Sequence, residues 1–208
     1  MFNPRFLIVS LGNPAPYYDS LHSAGHLALT SVQQALGYSQ PPFTTQKYGR
    51  EACLASPGQP YTMVQSPTRM NVCGPWVAKT WRQMLDEHQL RPADLSLVVV
   101  HDDLEESLGA VRVRAWKASH RGHNGVKSIL SSLKHTDYPG ARWSRISVGI
   151  DRPESSHPPL VADYVLSKMT GHQKAVIRDQ AGPKVLGCLR QMRDSWEEAF
   201  ERAANMPA

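Results

Sequence analysis

The run Leu95–Val100 (LSLVVV) constrains the fold more than any other stretch of this chain. A continuous run of aliphatic and β-branched residues is typical of a strand whose two faces are both covered. Such a strand belongs in the middle of a sheet that lies between layers of helices. At 208 residues the chain is long enough to bury a core of this kind without a metal or a disulfide framework.

Strands and helices alternate along the sequence, as they do in α/β folds. Further strands are predicted at 6–10, 48–55, 61–65, 111–114 and 146–150, and helices at 23–36, 77–85, 126–133 and 171–202. Ser23 and Asn124 are the expected N-caps of two of these helices, Gly182-Pro183 is expected to break the last one, and 151–162 is expected to be a loop. No linker divides the chain, so we predict a single-domain, three-layer α/β sandwich over residues 1–208.

The sequence contains no signal for a membrane or a secretory compartment. No apolar run approaches the ~18 residues of a membrane-spanning helix, and the N-terminus does not resemble a signal peptide. The three cysteines are widely spaced and form neither a disulfide framework nor a zinc pattern. We therefore expect no membrane partner, no metal, and a reducing compartment, either the cytoplasm or the mitochondrial matrix.

Positive charge is concentrated in one segment of a chain whose net charge is +5. Between positions 112 and 145 the only acidic residue is Asp137, against eight basic residues: Arg112, Arg114, Lys117, Arg121, Lys127, Lys134, Arg142 and Arg145. Such a field attracts a polyanion, although a solvated basic face without a partner is the alternative. Trp116 and Trp143 lie in the same span and either stack on exposed bases or pack in the core.

Two polar clusters follow predicted strands. Asn13 and His22 lie in the loop after the first strand, and His101-Asp102-Asp103 follows the most buried one. In open α/β sheets ligands bind outside the carboxyl ends of the strands, so these clusters are candidates for one shared cleft. A histidine oriented by an aspartate is a general base that works near neutral pH. The alternative is a solvated loop histidine and an aspartate that caps a turn.

Gly122-His123-Asn124-Gly125 precedes a predicted helix, where backbone amides favour a phosphate or an oxyanion; a simple helix cap is the alternative. The chain has no Gly-x-Ser-x-Gly nucleophile motif. Cys73 is a weak candidate for a thiol nucleophile, because a small buried cysteine is far commoner. Water is therefore the expected attacking group if the protein is a hydrolase.

In order along the chain, these segments resemble the bacterial-type peptidyl-tRNA hydrolase family, and they extend over nearly its whole length. The matching segments are 11–14 (LGNP), 22–25 (HSAG), 70–74 (MNVCG), 99–104 (VVHDDL), 122–127 (GHNGVK), 145–150 (RISVGI) and 163–166 (DYVL). The resemblance implies a twisted mixed sheet between helices, a monomer and no cofactor. It also implies an esterase that uses water to cleave the bond between a peptide and the 3′ ribose of tRNA.

The resemblance also implies roles for the residues that lie nearest the reacting ester. His22 matches the catalytic base and Asp102 matches the carboxylate that orients it. Asn124 matches the residue that positions the water or the carbonyl, which makes it both a catalytic and a substrate-binding candidate.

The remaining roles concern substrate binding. Asn13 and Asn71 match the residues that hold the substrate near the ester, and Tyr17 matches a ring beside the cleft. Arg114 and Arg145 match basic positions that bind the phosphates of the tRNA acceptor stem. The proline-rich segment before Asp163 corresponds to a mobile flap.

The chain departs from the family pattern in its loops. The interval from Asn13 to His22 is one residue shorter than usual, and Ser23 replaces a common asparagine. Two alternatives compete with the esterase. A non-catalytic RNA-binding relative of the splicing-cofactor type would keep the basic face but lose His22 or Asp102, or gain a hydrophobic patch that binds a partner. An α/β-hydrolase of small esters would need a nucleophilic serine.

Overall fold

A computed structural model describes residues 3–205 of the chain. Its centre is one sheet with seven strands. In chain order the strands are β1 (Arg5–Ser10), β2 (Thr44–Tyr48), β3 (Glu51–Pro57), β4 (Tyr61–Gln65), β5 (Leu95–Asp103), β6 (Val111–Ala115) and β7 (Arg142–Gly149). The spatial order is β2-β3-β4-β1-β5-β7-β6. The run Leu95–Val100 therefore lies in the interior of the sheet, as its apolar sequence predicts.

The sheet is mixed, with a parallel centre and antiparallel margins. β1 pairs in parallel with β4 and β5, and β5 pairs in parallel with β7. The β2–β3, β3–β4 and β6–β7 pairs are antiparallel. The carboxyl ends of the four parallel strands consequently meet at one edge of the sheet, which is the position where α/β folds place their ligands.

Helices cover both faces of this sheet. They are α1 (Ala24–Leu36), α2 (Cys73–Glu87), α3 (Asn124–Ser132), α4 (Pro158–Leu166), α5 (Gly171–Val176) and α6 (Gly182–Ala204). One apolar layer packs under α1 and α6 and the other under α2 and α3. Side chains alternate between the layers along each central strand, as in β1, where Ile8 lies in the first layer and Val9 in the second. The predicted three-layer α/β sandwich is confirmed.

Several predicted boundaries are wrong for identifiable reasons. The predicted strand at 48–55 begins at the last residue of the polar strand β2 and runs through a hairpin turn, where Gly49 and Arg50 both have positive φ. The predicted loop at 151–162 contains the start of α4, because the prolines at 158 and 159 open this helix. β5 extends to Asp103, so His101 and Asp102 are part of the strand.

The predicted break at Gly182-Pro183 does not occur. A π-helical segment, Ile177–Ala181, joins α5 to α6, and Pro183 falls in the first turn of α6, where a missing N–H is tolerated. The hydroxyl of Ser31 donates a hydrogen bond to the Arg178 carbonyl at 2.6 Å. Gly182 packs so close to Ser31 that a Cβ on it would lie 2.2 Å from the hydroxyl oxygen.

Close packing between α2 and α3 depends on Gly74. A Cβ at this position would lie 2.1 Å from the carbonyl oxygen of Ser128, which is backbone and cannot rotate away. We therefore expect Gly74→Ala to lower the free energy of unfolding by about 2 kcal/mol or more, measured by urea denaturation. Gly187 in α6 has nothing within 4 Å of an added Cβ, so Gly187→Ala is the matched control. It should raise stability by about 0.5–1 kcal/mol, and equal effects at the two sites would contradict this assignment.

Candidate active site

The candidate site lies at the carboxyl ends of β1 and β5. His22 sits in a single 3₁₀ turn, Leu21–Ser23, which leads directly into α1. The start of α1 packs tightly on both strands, since a Cβ on Gly25 would lie 2.7 Å from the Val100 carbonyl oxygen and 2.9 Å from that of Leu11. This close approach brings the His22 side chain to Asp102 near the end of β5.

His22 and Asp102 form a hydrogen-bonded pair. The Nδ1 atom of His22 lies 2.8 Å from Oδ1 and 2.9 Å from Oδ2 of Asp102. Because the carboxylate only accepts hydrogen bonds, Nδ1 carries a proton, and in the neutral ring Nε2 keeps its lone pair. The Asp102 side chain is only 2% exposed, whereas that of His22 is 13% exposed and borders the cleft. The pair thus has the arrangement of a general base and its orienting acid.

The electrostatics of the pair favour ionisation of both groups. Burial alone would lower the pKa of His22, but the charge of Asp102 and its hydrogen bond outweigh burial and raise this pKa above the ordinary 6.5. Burial alone would raise the pKa of Asp102, but the charges and hydrogen bonds of His22 and His123 lower it far below its usual range. Asp102 is therefore a carboxylate at neutral pH.

His123 is a second partner of Asp102 that the sequence analysis did not assign. Its Nε2 lies 2.9 Å from Oδ1 of Asp102, while its Nδ1 accepts hydrogen bonds from the backbone N–H groups of Gly125 and Val126. These acceptor contacts fix the tautomer, so Nε2 carries the proton and donates to the carboxylate. His123 therefore ties the first turn of α3 to the catalytic pair.

This contact also corrects the predicted cap of α3. His123, not Asn124, is the N-cap residue, because its ring nitrogen accepts from the first free amides of the helix. The amides of Gly125 and Val126 point at this ring and not at the cleft, so they do not supply the predicted anion site. Ser23 occupies the N-cap position of α1, as predicted, but its side chain does not bond the free amides of the helix. Its hydroxyl donates to the Tyr17 carbonyl and accepts from the Asn13 amide.

Two buried side chains, those of His101 and Arg145, lie next to each other, and that of His101 is hydrogen-bonded to Asp102. The Nδ1–H of His101 donates to the Asp102 carbonyl at 2.6 Å, and Nη1 of Arg145 lies 3.5 Å from the other ring nitrogen. Burial, together with the neighbouring charges of His123 and Arg145, lowers the pKa of His101 to about 3. His101 is therefore neutral, and it holds the end of β5 in place.

Arg145 borders the cleft, but its side chain is almost fully buried and is held by backbone carbonyls. It is 2% exposed, and its Nη2 donates to the carbonyls of Ala115 and Ala118 at 3.3 and 2.6 Å. Burial lowers its pKa, and the nearby charge of Arg114 adds to this shift. A guanidinium held in this way anchors the loop after β6. Its position therefore argues against the predicted contact with tRNA phosphate.

The remaining predicted residues surround a cleft of about 750 Å³. Asn13 is largely buried, and its Oδ1 accepts from the Met70 amide at 3.0 Å, which joins the loop after β1 to the start of α2. Asn71 and Asn124 are exposed, and within residues 3–205 their side chains make no hydrogen bond. Tyr17 is 46% exposed at the rim. Two free amides and a ring thus line the cleft that His22 borders.

Other candidates take structural positions. Cys73 is buried, donates to the Gly125 carbonyl and has a pKa raised to about 12 by burial, so it is not a nucleophile. Trp116 and Trp143 are also buried and pack against each other with ring centroids 5.0 Å apart. Of the two interpretations offered for these rings, core packing is the correct one.

Comparison with known proteins agrees with this geometry. The family model for peptidyl-tRNA hydrolase matches residues 7–207. The chain belongs to the peptidyl-tRNA hydrolase family. It is 33% identical to a peptidyl-tRNA hydrolase of Brevibacillus brevis over 194 residues, 91% of this chain and 93% of that protein. It is 32% identical to a probable peptidyl-tRNA hydrolase of Schizosaccharomyces pombe over 195 residues, 92% of this chain and 84% of that protein.

Solved structures of the family share the fold. The peptidyl-tRNA hydrolase of Acinetobacter baumannii superposes with a TM-score of 0.66 at 24% identity, over 94% of this chain and 93% of that one. Because this identity is low, the match supports the architecture alone. The non-catalytic RNA-binding alternative is not favoured, since this member of the peptidyl-tRNA hydrolase family keeps both His22 and Asp102 in contact.

Within residues 3–205, one group of side chains has the donor types of a metal site. The ligand atoms of His22, Asp102 and His123 all lie within 4.8 Å of one another. Each nitrogen–oxygen contact, at 2.8–2.9 Å, is a hydrogen bond between an imidazole N–H and the carboxylate. This pattern accounts for the cluster without an ion. Over the same residues no helix is long and apolar enough to cross a membrane.

Two substitutions at His123 separate its two contacts. His123→Asn keeps a good N-cap for α3 but is too short to reach Asp102, whereas His123→Ala removes both contacts. We expect both variants to lower kcat about tenfold, because one hydrogen bond to the carboxylate is lost. Both variants lose the stabilisation from that hydrogen bond, and the alanine variant should lose about 1 kcal/mol more of unfolding free energy than the asparagine variant, because it also loses the cap. An asparagine variant with wild-type kcat would show that His123 serves only as a cap.

Proposed function

We propose that this protein hydrolyses the ester that joins a peptide to the 3′ ribose of tRNA, with His22 as the general base. The observation that carries the proposal is the His22–Asp102 contact at the border of an open cleft. The family supplies the substrate class, and the geometry supplies a base whose free nitrogen is available to a water molecule.

The reaction follows from the tautomer of His22. Nε2 accepts a proton from water as the water oxygen attacks the peptidyl carbonyl carbon. The resulting tetrahedral oxyanion collapses, the bond from carbon to the ribose 3′ oxygen breaks, and the imidazolium returns its proton to that oxygen. The products are a tRNA 3′-hydroxyl and a peptide carboxylic acid, which ionises to the carboxylate and releases its proton to solvent. Asp102 stabilises the imidazolium throughout and keeps its own charge.

The exposed amides are the proposed contacts of the reacting group. Asn71 and Asn124 have free donors in the cleft that His22 borders, and one such donor to an oxyanion contributes about 3 kcal/mol in other enzymes. Asn13, fixed by Met70, positions the loop before His22 and presents its remaining amide to the substrate. The apolar residues Val161 and Val165 of α4 line the same cleft and suit a nascent peptide.

The acceptor stem is proposed to bind along β6 and the loop that follows it. Arg112 and Arg121 are well exposed and Arg114 partly so, and the side chains of Arg114 and Arg121 line the cleft. Phosphate contacts of this type position a nucleic acid without reading its sequence, which suits an enzyme that accepts many tRNAs. We further propose that the enzyme acts as a monomer, in the cytoplasm or the mitochondrial matrix, where its free cysteines stay reduced.

The test is hydrolysis of N-acetylaminoacyl-tRNA by the purified protein, with free aminoacyl-tRNA as the comparison substrate. We expect release of the N-acetylated amino acid and little release from free aminoacyl-tRNA. The rate should not change when EDTA is added, because the proposed base needs no metal. Failure to release the acyl group from the blocked substrate would overturn the proposal.

A further inference from the structure

Three arginines converge on one carboxylate beside the active-site cleft. Glu106 Oε1 lies 2.5 Å from Nη2 of Arg114 and 3.5 Å from Nη1 of Arg121, and its Oε2 lies 3.5 Å from Nε of Arg112. The Asp103 carboxylate lies 3.2 Å from Arg114 and 3.5 Å from Arg121. Planar guanidinium groups gathered around an anion in this way form the kind of site that binds phosphate.

The five charges nearly cancel. Three arginines against Asp103 and Glu106 leave a net charge of +1, from +3 and −2. Asp103 is buried at the end of β5, and its Oδ1 also accepts from the Glu105 amide, so it is a fixed member of the site. Glu106 is less buried, with 17% of its side chain exposed. Of the two carboxylates, Glu106 is therefore the one whose side chain can rotate away from the arginines.

The backbone around Glu106 allows the side chain to move alone. Its carbonyl accepts from the Asp151 amide at 3.1 Å, and Gly149 packs against it so closely that an added Cβ would lie 2.7 Å from the carbonyl oxygen. The turn is thus held in place, while the side chain can change rotamer toward solvent. Such a rotation frees the guanidinium of Arg114 and that of Arg121 without moving either strand.

We propose that Glu106 is an internal competitor for RNA phosphate at this three-arginine site, an inference that rests on the proposed function. A phosphate of the acceptor stem must displace the Glu106 carboxylate before it can pair with Arg114 and Arg121. Glu106 consequently lowers the affinity for tRNA and also reduces non-specific binding of other anions to the arginines. Arg114, Arg121 and Asp103 also line the catalytic cleft, so this competition takes place next to the reacting ester.

Glu106→Gln tests the proposal because it removes the charge and keeps the shape. We expect the Kd for deacylated tRNA, measured by fluorescence anisotropy, to fall about fivefold, and the KM for N-acetylaminoacyl-tRNA to fall with it while kcat stays within about twofold. The slope of log Kd against log salt should steepen by about 0.7–0.9 for each further phosphate that the freed arginines neutralise. Glu106→Asp keeps the negative charge but shortens the side chain by one methylene, so its Kd should lie between those of the wild type and Glu106→Gln.

Glu105→Gln is the matched control. It changes the net charge by the same amount at the adjacent position. Glu105 and its ion-pair partner Arg152 also line the cleft, but Glu105 is not paired with any of the three arginines. If Glu106→Gln and Glu105→Gln change Kd equally, the proposal fails, because the effect is then one of net charge. Weaker binding in Glu106→Gln also overturns it, since Glu106 would then be a strut that orients the arginines.

The binding measurement is independent of ester cleavage. If the protein did not hydrolyse N-acetylaminoacyl-tRNA, the proposed function would fail, yet tighter tRNA binding by Glu106→Gln would still support the competitor. Conversely, hydrolysis with unchanged Kd in both Glu106 variants would leave the function intact and refute the competitor. Thermal unfolding of each variant identifies any change in Kd that follows from a loss of folded protein.

Discussion

Replacement of His22 by alanine should lower kcat for N-acetylaminoacyl-tRNA by at least about 100-fold, the contribution typical of a general base. The imidazole is the group beside Asp102 that borders the cleft and has a free ring nitrogen for water. The affinity for deacylated tRNA should change little, because the basic surface on β6 does not contact His22. The two quantities are measured by single-turnover hydrolysis and by anisotropy on the same preparation.

His172→Ala is the matched control for this substitution. His172 is exposed near the start of α5 and takes no part in the site, so its loss should leave both kcat and Kd unchanged. A His22→Ala variant that lost tRNA affinity and rate in equal measure would show that His22 only shapes the binding surface. A variant that retained the wild-type rate would remove the general base from the mechanism.

Replacement of Asp102 by asparagine should have the second largest effect, a fall in kcat of about 100-fold or more. The carboxylate accepts from both His22 and His123, and an amide cannot stabilise the imidazolium that forms during the reaction. Because the buried Asp102 carboxylate accepts two N–H hydrogen bonds, it also contributes to the stability of the fold. Circular dichroism and thermal unfolding must therefore show a folded variant before its rate is interpreted.

Asp102→Asn should also shift the pH dependence of kcat, and the direction follows from the interactions that set the pKa of His22. Asp102 raises this pKa, whereas burial lowers it. Removing the carboxylate charge leaves burial dominant, so the pKa of His22 should fall. Because only the neutral ring accepts a proton, the acidic limb of the kcat profile should move to lower pH in Asp102→Asn. A limb that stayed in place would show that His22 is not the group that titrates.

The architecture was largely predictable because its central strands are continuous apolar runs. The apolar side chains of Leu95–Val100 can be buried on both faces only if the strand lies between two layers of helices, and the structure places it there. The errors occur where local signals have two meanings. Prolines mark loops but also open helices, as at the start of α4, and Gly182-Pro183 breaks a helix unless a π-helical segment precedes it. The strand β2 is polar and exposed, so it carries no apolar pattern.

The part of the site that lies at the carboxyl ends of the parallel strands was predictable from the sequence. The loops after β1 and the end of β5 meet as the parallel topology requires, which brings His22 to Asp102. His123 was missed because its signal, a histidine at a helix start, is also that of an ordinary cap. The burial of Arg145 was missed because a sequence gives the charge of an arginine but not the carbonyls that surround it.

The central claim is tested most directly by the pH dependence of the single-turnover rate, taken as the difference between wild type and His22→Ala to remove uncatalysed ester hydrolysis. Between about pH 5 and pH 9 this difference should rise through one ionisation, with an apparent pKa above the ordinary 6.5 of histidine, and then reach a plateau. A difference that is independent of pH over this range, or that falls as the pH rises, would contradict a neutral His22 that activates water.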